Sequence, residues 1–212
     1  MKLRSTLGIL GASLTLIALT AQPMAAFGGL RGTSIAEPAA VTPAAGGSFG
    51  AKLNTDAFPS NDYTGEQTCP DPSNPCLRVM NRAYNNGTAG APKDGTISKI
   101  KVVNGEATSF RLYFVAVKNG GAKAKVMVKG PVVNVPAQPD SDTPMVIRTI
   151  DIPDVNVKAG WRIAVKAKST SILRCDSGNG SYVFQPTPAL GSGYATSVDT
   201  DSCAILVQAI YR

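Results

Sequence analysis

From about residue 95 onward, apolar positions fall in short runs with turn residues between them. In "AKAKVMVKG", Ala122, Ala124, Val126 and Val128 take one face and Lys123, Lys125 and Lys129 the other. A period of two is that of a half-buried strand. "SFRLYFVAV" is apolar on both faces and predicts a central strand, covered from two sides. "MVIRTIDI" and "AILVQAIY" add further β-rich runs. Around the single tryptophan, Val155, Val157, Ala159, Trp161, Ile163, Val165 and Ala167 share a side. Asn156, Lys158, Gly160, Arg162, Ala164, Lys166 and Lys168 take the other. Trp161 is therefore expected as a plug of the core or its rim, not as a platform for a sugar ring. "NGE", "NGG", "KAG" and "GNG" supply turn material. Pro131, Pro136, Pro144 and Pro153 mark strand ends or edges, because proline cannot donate to a ladder. No helical period appears beyond the N-terminal segment. Many short strands without helices predict an all-β fold, an antiparallel, jelly-roll-like β-sandwich.

The first residues read differently. Lys2 and Arg4 precede an apolar run from Leu7 to Leu19, and small residues follow at "AQPMAA". This layout predicts a signal peptide over 1–26 and hence a secreted protein. No second apolar run is present, so no stable membrane insertion is expected. Residues 27–60 are rich in Gly, Ala, Pro, Ser and Thr and predict a flexible spacer, leaving 61–212 as one domain. The formal charge of +7 would lose the two charges of Lys2 and Arg4 with the leader. The four cysteines, Cys69, Cys76, Cys175 and Cys203, form an even set in an exported chain and predict two disulfides. Three pairings are possible. "CPDPSNPC" suits a tight Cys69–Cys76 loop, which would leave Cys175 to Cys203. A zinc site fits poorly, because C-x6-C is not a knuckle spacing.

Taken together, "APKDGTISKIKVV", "FRLYFVAV", "VNVKAGWRIAV" and the terminal "CAILVQAIY" resemble secreted actinobacterial proteins with a single β-sandwich domain and no assigned function. Their pattern is similar to Ala-Pro-x-Asp-Gly-x-Ile, an Arg- and Leu-rich strand, Val-x-Ala-Gly-Asp-x-Ile-Gly and a closing hydrophobic strand. The likeness covers about residues 65–212. Trp161 and Ala164 stand where that pattern has Asp and Gly. The resemblance implies fold and export, and no particular chemistry.

The chain contains no histidine. No Ser–His–Asp or Cys–His arrangement can form within it, and no imidazole can bind a metal. With the cysteines in disulfides, carboxylates are the remaining acid–base route. Asp140/Asp142 and Asp199/Asp201 are the closest pairs in sequence, and a glycan-acting enzyme would need two such groups across a cleft. Both pairs lie in loop-like stretches where aspartate caps turns, so no catalytic residue is assigned. The same oxygens raise a calcium candidate at Asp176, Asp199 and Asp201, but no complete calcium loop is present, and neither metal nor cofactor is expected. Tyr182, Phe184 and Tyr194, in a loop-rich stretch, are the candidate ligand-binding aromatics. No dense Lys/Arg block points to nucleic acid. The expected function is non-catalytic binding of carbohydrate or a cell-wall polymer at the cell surface. A structural or assembly role there is the alternative, and an Asp-based glycan enzyme stands third.

Overall fold

The computed structural model describes residues 46–53, 67–138, 146–175 and 180–212. These fall in one compact unit and contain no α-helix. In chain order the strands are β1 (Ser48–Gly50), β2 (Gln67–Thr68), β3 (Cys76–Met80), β4 (Gly95–Val102) and β5 (Thr108–Lys118). Then come β6 (Lys123–Val135), β7 (Arg148–Val157), β8 (Arg162–Ala167), β9 (Ser169–Thr170) and β10 (Leu173–Arg174). The last five are β11 (Ser181–Phe184), β12 (Ala195–Thr196), β13 (Asp199–Asp201), β14 (Ala204–Ile205) and β15 (Val207–Tyr211).

The main sheets have strand orders β1-β15-β4-β7 and β12-β6-β5-β8-β3-β11-β13, with two-stranded β2-β9 and β10-β14 beside them. Every pairing is antiparallel. Ranked along the chain, β1, β3, β4, β5, β6, β7, β8 and β15 run first-eighth-third-sixth in one sheet and second-seventh-fourth-fifth in the other. That interleaving is the jelly roll, two Greek keys folded face to face.

The core between the sheets takes alternate residues from each. Phe110, Leu112 and Phe114 of β5, Ile163 and Val165 of β8, Ile97 and Ile100 of β4, and Val207 and Ala209 of β15 meet there. The residues between them on the larger sheet are buried as well. Leu77, Val79, Tyr113, Val115, Ala124, Val126, Ala164 and Phe184 form a second apolar cluster on the face turned away from the smaller sheet. This accounts for the doubly apolar "SFRLYFVAV". The second face is covered because the seven-stranded sheet curls. Strands β12 and β13 lie on opposite edges of that sheet yet are separated by only Ser197 and Val198. The Ser197 N–H donates to Ala122 O (2.9 Å) and the next N–H, of Val198, to Val183 O (2.8 Å). With consecutive Cα atoms 3.8 Å apart, the two edge regions must approach closely.

One boundary differs from expectation. Residues 46–53, assigned by composition to the spacer, belong to the domain. β1 pairs with β15, and Phe49 is buried with its ring 6.3 Å from that of Phe114 and 5.8 Å from that of Tyr211. One aromatic side chain that spans both sheets offsets the ordering cost of a short, otherwise small-residue segment. The leader at 1–26 and the remainder of the expected spacer lie outside the described residues.

Candidate functional site

The stretches around Asp94 and Trp161 form a structural joint. Gly160 adopts φ +79°, and the Trp161 N–H closes a turn on Lys158 O at 3.1 Å, as the third residue of a type II turn requires. Ala91 holds this turn through backbone bonds in both directions, Ala91 N–H to Trp161 O (2.7 Å) and Gly160 N–H to Ala91 O (2.8 Å). Asp94 accepts the Ala159 N–H at 2.8 Å and pairs with Lys158 at 3.0 Å. The Ala159 N–H, then Lys158, hold its carboxyl below the usual carboxylate range. Gly95 follows because a Cβ there would stand 2.7 Å from the Tyr211 ring. Trp161 is half-buried at the rim, packed on the sandwich core. Its neighbour Arg162 reaches Gly120 O at 2.8 Å and Asn81 Oδ1 at 3.2 Å, and burial lowers its pKa. The run around the tryptophan is therefore scaffold.

The candidate aromatics are not brought together as a rim. Phe184 is 1% exposed inside the curled sheet, so its expected role in ligand binding is corrected to core packing. It is paired in register with Leu77, and the closing segment 185–198 decides which face is dry. Tyr182 is half-buried against the same cluster. Tyr194 is 39% exposed, with Lys118 Nζ 4.4 Å from its ring centre.

The disulfides are Cys69–Cys76 and Cys175–Cys203. At the calcium candidate the central carboxylate is already engaged. Asp201 is ion-paired with Arg78, itself 4% exposed, and also accepts the Cys203 N–H at 2.9 Å. Asp199 caps its own strand by accepting the Thr200 N–H at 2.7 Å. Cys175 and Cys203 lie close to Asp201, but sulfurs joined in a disulfide are not thiolate ligands. Asp199 and Asp201 do line one polar cleft of about 410 Å³, with Arg78 and Thr68. There the oxygens of Asp201 are already committed, so the pair does not present two free carboxyls. Asp140, Asp142 and Asp176 lie outside the described residues.

The larger cleft, about 670 Å³, lies between the Cys69–Cys76 loop and the segment after β11. Pro70, Asp71, Lys166, Gln185, Thr187 and Val198 are among its lining residues. Gln185 locks the two walls together. Its amide donates to Asp71 O (3.0 Å) and Asn74 O (2.9 Å), and its oxygen accepts the Asp71 N–H at 2.9 Å. Asp71 accepts from the Asn74 side chain at 2.6 Å and the Ser73 N–H at 2.9 Å, and these bonds, in that order, lower its pKa. The Thr187 hydroxyl is buried and has no hydrogen-bond partner. Sequence reasoning missed this cleft. Its only visible signals were the proline-rich runs "CPDPSNPC", which reads as a tight loop, and "FQPTP", which falls in the loop-rich stretch.

No family model, curated protein or solved structure matches the chain.

Proposed function

We propose that the protein is an exported, non-catalytic binding module that holds a glycan or cell-wall polymer in the cleft between the Cys69–Cys76 loop and segment 185–198. The observation that carries this reading is the cleft itself, about 670 Å³ between two walls that Gln185 locks together. The volume suits a small-ligand site, and proline rings beside amide, ammonium and carboxylate groups suit a polyhydroxylated chain. Asp71 is the one carboxylate among the described lining residues, where glycoside hydrolysis uses a facing pair. No helix among the described residues is long and apolar enough to cross a membrane.

Retention on insoluble polysaccharides and cell walls, together with a glycan array, tests the reading. Val198→Trp narrows the exposed mouth of the cleft and should weaken binding about tenfold or more while leaving the melting temperature unchanged. A protein that binds no glycan or wall preparation sinks the proposal. The competing reading is an assembly component. Leu190, Tyr194 and Val198 are large, exposed and apolar, and all lie in the closing segment. A scattering mass that rises with concentration in the same preparations would favour it.

A further inference from the structure

We infer that the polymer is anionic, and that Arg111, Lys166 and Lys129 on the outer face of the seven-stranded sheet bind its carboxylate or phosphate groups. This rests on the cleft being the binding site. Directly paired residues share a sheet face, and one row across the larger sheet reads Val132, Arg111, Lys166, Leu77, Phe184. The adjacent row reads Lys129, Tyr113, Ala164, Val79, Tyr182. Leu77, Phe184, Tyr113 and Ala164 belong to the cluster under the curl, so the three cations lie on that same face, where the cover ends. Lys166 also lines the cleft.

Arg111 and Lys166 are direct cross-strand partners of like charge, an arrangement that destabilises a sheet. Nothing among the described residues neutralises it. Arg111 donates to Gly130 O at 3.1 Å, and among the described residues none of the three cations forms an ion pair, whereas Lys99, Lys158 and Arg212 each have an aspartate partner. Asp71, the carboxylate of the cleft, is turned onto its own loop through Ser73 and Asn74. A patch of repelling cations beside a cleft walled by proline rings and amide groups is complementary to a polyhydroxylated chain that carries negative groups. Nucleic acid fits less well. The aromatic in the patch, Tyr113, is 5% exposed and offers no face on which bases can stack.

Calorimetric titration with polygalacturonate, poly(glycerol phosphate), neutral dextran and duplex DNA tests the inference and separates the two anionic groups. Both anionic polymers should bind, or one of them, at least tenfold more tightly than dextran. Raising salt from about 50 to 500 mM should weaken that binding at least tenfold, since screening shortens the reach of exposed charges. Lys166→Gln should lower affinity at least fivefold with the melting temperature unchanged or higher, because it relieves Arg111. Lys129→Gln, on the exposed surface, should weaken binding without loss of fold. Lys99→Gln with Lys101→Gln, on the other sheet, should leave affinity unchanged. Equal binding of dextran, or full affinity in Lys166→Gln, overturns the inference and leaves the glycan-binding reading standing. Failure to bind either anionic polymer, dextran or cell walls removes both, and tighter binding of DNA overturns the ligand class.

Discussion

Asp94 does at the scale of one residue what its place in Pro-Lys-Asp-Gly suggests, and more. Its carboxylate takes the Ala159 N–H and the Lys158 ammonium, fixing the turn from which β8 starts, while Gly95 leaves room for the Tyr211 ring. Because the folded state depresses the carboxyl pKa, the linkage sign is fixed. The stabilisation is fully present above the unfolded carboxylate value and is lost as pH falls from there through the lower folded value. Asp94→Asn should therefore unfold at lower temperature than the parent at pH 7, and the difference should close as pH falls below about 4, near the ordinary aspartate value. Parallel melts of the two proteins across pH 2.5–7 check this, and a gap that widens toward acid would refute the role. Trp161 was legible at this scale because its parity matches Ile163 and Val165. Phe184 was not. Only the fold of segment 185–198 makes its side of β11 dry, and no local period encodes that.

Among the elements, the long strands were readable from their two-residue period, and the short ones were not. β1 has three residues with one Phe among small neighbours, and its place depends on pairing with β15 at the far end of the chain. The cleft is likewise made by two proline-rich segments that look like plain turns until Gln185 joins them. The two disulfides differ in how much chain they enclose. Cys69–Cys76 spans a sequence separation of 7 and Cys175–Cys203 one of 28. The entropy lost by the unfolded chain grows with the logarithm of loop length, so the later bridge should contribute about 1 kcal/mol more. Urea denaturation of the paired serine variants, Cys69→Ser with Cys76→Ser against Cys175→Ser with Cys203→Ser, measures the difference. Equal losses would mean that loop length does not set the contribution of these bridges. The ligand-binding assay adds a second readout, since only the first pair borders the cleft.

For the whole molecule the decisive feature is that one sheet serves two cores. β3, β5 and β8 place alternate residues in the sandwich core and in the curl, so neither cluster can open without exposing the other side of the same strands. The jelly roll was expected from the sequence, but the closure of its larger sheet was not, because it is made by backbone bonds from Ser197 to Ala122, just before β6, and from Val198 to Val183 of β11, next to opposite edges of the sheet. If the sheet couples the cores, unfolding is one event. Phe114→Ala, in the sandwich core, and Phe184→Ala, in the curl, should each cost about 3–5 kcal/mol. Both should unfold in a single urea transition, with Trp161 emission and far-UV circular dichroism coincident. Trp161 packs on the sandwich core alone, so it discriminates. Were the curl a separable cover, Phe184→Ala would lose circular dichroism in an early transition to which the indole is blind. Coincidence of the two probes in that variant would mean that the cleft walls are held at the stability of the whole domain, as a preorganised binding surface requires.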